Sequence, residues 1–143
     1  MEKNPLELLK ERPIKLCVLA TSSKDAQPWC SVMGYAIGED GTIILSTLQS
    51  TKKWKNLEEN NKVALLIGWD LEGPSIHCEG KAQLVTEGEL HKKTEELFFT
   101  QNPYAAKFKT TNTMFVIIKP TFMRLTDYGT KPPTVKEYLG EHV

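Results

Sequence analysis

The sequence carries no net charge: 18 Lys and Arg offset 18 Asp and Glu among 143 residues. That balance removes the electrostatic case for binding nucleic acid or an anionic membrane, because both depend on excess basic charge. It also leaves little repulsion to hold copies of the chain apart, which permits self-association. Cysteine is scarce as well. Cys17, Cys30 and Cys78 are odd in number and far apart, with no CxxC pair and no His/Cys cluster. Neither a zinc site nor a disulfide framework follows from them, and reduced thiols in a cytoplasmic protein are the simplest reading. No apolar run approaches the roughly 20 residues of a membrane span. The opening segment, MEKNPLELLKERP, lacks the apolar centre of a secretory signal. No Ser stands in a nucleophile elbow and no nicotinamide fingerprint is present. Repeats, linkers and low-complexity tracts are missing too.

What remains is a chain with 40% hydrophobic and 25% charged residues, the balance of one globular domain over positions 1–143. Asn4, Pro5 and Glu7 make a helix start, and Pro13 ends that helix. Ile14–Thr21, Pro28–Ile37 and Thr42–Thr47 read as three strands, the last two joined by a turn holding Asp40-Gly41. Ser50–Asn60 reads as a short helix with Ser50 as its N-cap. Val63–Trp69 and Ser75–Thr86 read as two more strands. A helix over about Glu87–Phe99 follows, with Leu90, Thr94, Leu97 and Phe98 on one face. Tyr104 and Phe108 suggest one further helical turn. Met114–Lys119 and Thr121–Asp127 read as the last strands, and Tyr128–Val143 as an extended tail. Hairpin-length connections between strands favour an antiparallel β-barrel with flanking helices. A parallel α/β sheet is disfavoured, because no helix separates the first three strands.

The stretch with most chemistry is Ser46–Leu57, STLQSTKKWKNL. A helix N-terminus presents free N–H groups and a partial positive charge, so its first turn normally holds acidic residues. Here it holds Lys52 and Lys53. That arrangement opposes the dipole unless an outside anion sits there. Hydroxyls of Ser50 and Thr51, backbone N–H groups and two ammonium groups together would cradle a phosphate. On these residues alone, an ordinary solvated lysine face is the alternative.

Several segments in order carry a resemblance. Thr51-x-Lys53-x-x-Asn56-Leu57-x-x-Asn60, followed by Val63-Ala64-Leu65-Leu66, resembles the [ST]-x-K-x-x-N-L-x-x-N-P-x-V-x-L-L segment of pyridoxamine 5′-phosphate oxidase-like flavoproteins, with Asn61 in place of Pro. Ile44–Thr47 resembles the strand before it. Trp69–Ala82 matches the family's W…G-x-A spacing, and Ala20-Thr21, Pro28 and Ser31-Val32 match its first hairpin. The resemblance implies an FMN-binding split β-barrel that works as a homodimer, with the cofactor at the subunit interface. It implies that Ser31, Val32 and Met33 run along the isoalloxazine and ribityl chain. Ser46 and Thr47 would approach the ribityl–phosphate region, and Thr51, Lys52 and Lys53 would bind the phosphate. Trp69 is the best-placed tryptophan, ahead of Trp29 and Trp54. Ser75 stands where the oxidases carry a Gln that reaches the flavin from the other subunit, and it is shorter. The substrate-binding Arg-Leu-His motif and Trp of the true oxidases have no counterpart in Thr130–Val143, which speaks against vitamin B6 oxidation.

The resemblance therefore implies an FMN-dependent oxidoreductase acting on an unspecified small molecule. The alternatives are a non-catalytic flavin-binding or electron-transfer protein, or a related barrel that uses deazaflavin or haem. His77 and Cys78 are strand neighbours and point to opposite faces. His91 reads as solvated, and so do the carboxylates of Glu39-Asp40 and Glu58-Glu59.

Overall fold

The computed structural model describes residues 3–140. Asn4 caps the first helix, α1 (Pro5–Glu11), by accepting the Glu7 N–H at 2.9 Å, and Pro5 sits where no N–H is needed. The chain then enters β1 (Leu16–Ser22), whose burial alternates: Cys17, Leu19 and Thr21 face in, while Val18 and Ala20 face out. β2 (Pro28–Ile37) and β3 (Ile43–Leu48) form a hairpin around Gly41, whose φ of 83° suits glycine. In that turn the Asp40 carboxylate accepts the Thr42 hydroxyl at 2.7 Å and its N–H at 3.3 Å, which holds its pKa below the usual value. There follow α2 (Lys52–Glu59), β4 (Lys62–Ile67), β5 (Pro74–Val85), α3 (Gly88–Gln101), a 3₁₀ turn over Pro103–Phe108, β6 (Thr113–Asp127) and β7 (Thr134–Leu139).

All strand pairings are antiparallel. Along the sheet the order is β3-β2-β1-β4-β5-β6-β7, and β3 also pairs with β6. That extra pairing closes β1 to β6 into a six-stranded barrel and leaves β7 outside, on the second half of β6. Two ladders are short. β2 meets β3 only over Tyr35–Ile37 with Ile43–Leu45, and β1 meets β4 only over Val18–Ala20 with Ala64–Leu66. The barrel is thus split between β2 and β3.

Several expectations need correction. The last two expected strands are one strand, β6. Pro120 has no N–H to give, and it is accommodated at an irregularity where Glu79 pairs with Phe122 and Gly80 with Pro120. A Cβ at Gly80 would lie 2.7 Å from the Lys119 carbonyl oxygen, so only glycine fits. β6 also changes partner there, from β3 to β7. The tail expected to lie extended on the surface or on a partner supplies β7, paired along β6, while positions 141–143 lie outside the described residues, as do 1 and 2. α3 reaches Gln101, two residues further than expected, and Tyr104 and Phe108 lie on a 3₁₀ turn. At α2 the N-cap is Thr51, whereas Ser50 is exposed in the preceding turn.

The core has two parts. Inside the barrel, Leu19, Tyr35, Leu45, Ile67 and Met123 pack together, with Leu9 of α1 and Trp54 and Leu57 of α2 joining the cluster. Tyr35 donates its hydroxyl to the Leu9 carbonyl at 2.8 Å, and burial pushes its phenol pKa up. Outside the barrel, Phe98 of α3 packs with Ala36, Ile44, Val85 and Phe115. The end of α3 is tied to β2 by side-chain amides. Gln101 accepts the Ile37 N–H at 2.9 Å and donates to the Ile37 carbonyl at 2.8 Å, and Asn102 donates to the Tyr35 carbonyl at 2.8 Å. These bonds satisfy backbone groups on β2 beyond its pairing with β1.

Candidate functional site

The split exposes two strand edges. From Pro28 to Gly34, β2 is paired with β1 alone, and from Ser46 to Leu48, β3 is paired with β6 alone. Had their ladder continued, Ser46, Thr47 and Leu48 would face Gly34, Met33 and Val32. The free edges therefore offer unpaired backbone donors and acceptors to a ligand lying between them. Side chains alternate along both edges. Met33 and Thr47 point inward and are buried, whereas Val32 points outward and is 65% exposed. Ser46 also points outward, into a cavity of about 340 Å³ walled by Gly34, Phe98, Tyr104 and Phe108.

α2 begins directly after β3, so its N-terminus closes one end of the split. Thr51 accepts the Trp54 N–H at 3.3 Å and donates to the Leu48 carbonyl at 2.8 Å. Its hydroxyl is 3.5 Å from that of Thr47. No acidic residue stands in the first turn. Lys52 places its ammonium 4.4 Å from the Trp29 ring centroid, a cation–π contact that links α2 to the start of β2. Lys53 is half-buried, and burial lowers its pKa. It has no carboxylate within ion-pairing distance among the described residues. A partly desolvated ammonium without a counter-charge, beside free helix N–H groups, favours an anion.

Asn56 fixes the helix on the barrel. Its amide donates to the Thr21 hydroxyl at 3.1 Å, and both residues are only 3% exposed. This pair accounts for the Asn in the motif at α2: it is an anchor, one turn beyond the residues at the split.

One protomer brings together Ser31, Val32, Met33, Ser46, Thr47, Thr51, Lys52 and Lys53, with Ser50 at the rim. It does not bring Trp69 and Ser75 there. β4 runs away from α2, and both residues lie at the other end of the barrel, where Gly68 approaches Arg12 at the end of α1. Trp69 is 49% exposed, and Ser75 is 4% exposed within the protomer. Of the three tryptophans, only Trp54 is core. Trp29, ranked behind Trp69 in the sequence, is the tryptophan that stands at the split, whereas the aromatic wall of Tyr104 and Phe108 was not legible as part of the site, because it depends on how α3 docks. His91 is not simply solvated. Its Nε2 lies 3.0 Å from the Thr113 carbonyl oxygen, and its ring packs edge-on against Phe115 at 5.2 Å.

The family model for pyridoxamine 5′-phosphate oxidase matches residues 5–127. The chain belongs to this family. No curated protein matches it. Among solved structures, a heme binding protein from Mycobacterium smegmatis superposes with a TM-score of 0.79 at 16% identity, covering 99% of this chain and 60% of that one. This chain is therefore shorter than that relative by a substantial part. A pyridoxamine 5′-phosphate oxidase-related, FMN binding protein from Nostoc punctiforme gives 0.71 at 10% identity, over 87% and 80% of the two chains. General Stress Protein 26 from Bacillus anthracis gives 0.68 at 21% identity, over 93% and 95%. At these identities the likeness establishes a shared fold. The oxidase family's split barrel is thus confirmed for this chain by sequence family and by architecture together.

Proposed function

We propose that this member of the oxidase family binds FMN in the split between β2 and β3, as a homodimer, and acts as an oxidoreductase on a small molecule. The observation that carries the reading is Lys53, a half-buried ammonium without a carboxylate partner among the described residues, beside the N-terminus of α2. With Lys52, the first N–H groups of α2 and the exposed Ser50 hydroxyl, it suits a phosphate dianion. The free edge of β2 over Ser31–Met33 would give hydrogen bonds to a flat ring system, and Thr47 and Ser46 line the passage between ring and phosphate. Tyr104 and Phe108 would shield that ring from water on the Ser46 side. Bound FMN would supply the redox chemistry, while the protein holds and orients it.

The outer face of the barrel supports the dimer. Val32, Val18 and Leu66 are cross-strand neighbours, and so are Cys30, Ala20 and Ala64. An outward face of Val, Leu and Ala is unusual on an antiparallel sheet exposed to water and suits burial by a second copy. Such a partner would also bring a second set of residues, Trp69 among them, to the split. Free Cys17, Cys30 and Cys78 fit a reducing, cytoplasmic setting.

One observation favours haem as the second reading. His77 stands exposed beside Leu66 on this apolar face, as an available imidazole ligand.

The test compares FMN with riboflavin, which lacks the phosphate. Lys53→Ala is expected to weaken FMN binding by about 1.5–3 kcal/mol, the worth of a hydrogen bond to a charged group, and to leave riboflavin unchanged. Equal losses for both ligands would refute the phosphate assignment.

A further inference from the structure

A second cleft lies away from the split. It is a groove of about 690 Å³ between α3, the Gly38–Thr42 turn and the outer face of β5 and β6. Its floor is apolar, from Ile44, Leu97 and Ile117; its rim carries Lys81, Lys93 and Lys119 and, on the side of the turn, the carboxylates of Glu39 and Asp40. The lysines are placed by register. Lys81 on β5 is directly opposite Lys119 on β6 and directly opposite Lys62 on β4. Neighbouring strands are about 4.8 Å apart, so the three stems stand on one face within about 10 Å. Like charges directly opposite destabilise a sheet. These lysines have no ion pair among the described residues to offset that cost. The chain as a whole is neutral, so the row is not overflow from a basic surface. The two carboxylates of the lining stay on the turn: Asp40 is held there, ionised, by the Thr42 hydroxyl and N–H, and neither it nor Glu39 nor Glu79 forms an ion pair among the described residues.

We infer that this groove is a second ligand site, for an organic molecule carrying two or three linked phosphates, such as a nucleoside di- or triphosphate. Ammonium groups are compact point charges, each suited to one or two phosphate oxygens. A single phosphate cannot meet all the lysines of the rim, whereas a phosphate chain along the Lys81–Lys119 pair, with Lys93 across the groove, can. The apolar floor gives the organic body a place that water fills poorly, and the cavity lies within the roughly 300–1,000 Å³ of small-molecule sites. This site shares no residue with the split, so it stands or falls independently of FMN.

Calorimetric titration of the whole protein with ATP, AMP and inorganic triphosphate, without magnesium, tests the inference. ATP is expected to bind once per chain, and more tightly than either AMP or inorganic triphosphate. The double variant Lys81→Gln/Lys119→Gln is expected to lose about tenfold or more in affinity. It should melt no lower than the wild type, since a repulsion is removed, so a loss of binding cannot be blamed on unfolding. Absence of ATP binding, or an unchanged affinity in the double variant, would overturn the site. Equal binding of inorganic triphosphate would overturn the role of the apolar floor, and equal binding of AMP the need for linked phosphates. Competition between ATP and FMN would place the anion at α2 and also overturn the inference.

Discussion

The Asn56–Thr21 bond makes the position of α2, and with it the anion-binding end of the split, a matter of measurable energy. Both side chains are 3% exposed and 3.1 Å apart, so removing one leaves the other's polar atom buried without its partner. Asn56→Leu keeps most of the volume and strands the Thr21 hydroxyl, and Thr21→Val strands the Asn56 amide. A buried donor or acceptor left unmatched costs about 1–3 kcal/mol, so each single change is expected to destabilise by that much. The double variant removes both polar groups at near-constant shape, and replacing both partners is nearly neutral. It is expected to be less destabilised than the sum of the singles by about 1–2 kcal/mol. Urea unfolding measures this as a shift in midpoint with an unchanged slope. Each single variant should also bind FMN more weakly, because α2 loses its anchor on β1. Strictly additive singles, or singles without effect, would refute the claim that this bond seats the helix.

Other consequences concern the thiols, the bulge and the lysine. Burial pushes the Cys17 and Cys78 thiols from 9.0 up to about 12. For a folded pKa raised in this way, stability is complete below pH 9 and is lost as the pH rises from 9 toward 12, because only the unfolded chain releases the protons. The buried Tyr35 phenol acts in the same direction. Urea midpoints are therefore expected to fall across that alkaline window. At neutral pH in the native state, a thiol reagent should spare the buried Cys17 and Cys78, and its labelling of Cys30, exposed in the single protomer, should fall as the proposed dimer covers that face. Gly80→Ala forces a Cβ to 2.7 Å from the Lys119 carbonyl oxygen, and is expected to destabilise by about 1–3 kcal/mol or more as an overpacked site. A melting temperature equal to wild type would show that the irregularity relaxes freely. Burial lowers the Lys53 pKa, so FMN affinity should decline as alkaline pH removes the ammonium, while riboflavin affinity stays level. Parallel profiles for the two ligands would contradict the assignment.

Much of the fold was legible because local chemistry and tertiary structure agree. The Asn4–Glu7 cap, the apolar run of β1, the hairpin at Gly41 and the apolar face of α3 each form where the residues say they should. The misses share one cause: long-range pairing. Pro120 ends a strand by local rules, yet β6 passes through it because Gly80 on β5 gives way. The segment Thr134–Leu139 shows no burial signal, since all of its residues but Tyr138 are exposed, and it becomes a strand only because β6 has a free edge beyond Pro120. At the site, the lysines of α2 were readable because they violate the usual charge preference of a helix start. The N-cap was displaced by one residue, since Ser50 and Thr51 are equally good caps and the Leu48 carbonyl decides between them. The aromatic wall could not be read at all, because Tyr104 and Phe108 reach the split only through the docking of Gln101 and Asn102 on β2.

The absorption spectrum of the purified protein, before and after addition of FMN, tests the central claim most directly. The account predicts flavin bands on purification, or a saturable shift of the flavin spectrum on titration with one FMN per chain. A protein that is colourless and leaves the FMN spectrum unchanged would contradict it, and a haem spectrum would replace it with the reading built on His77.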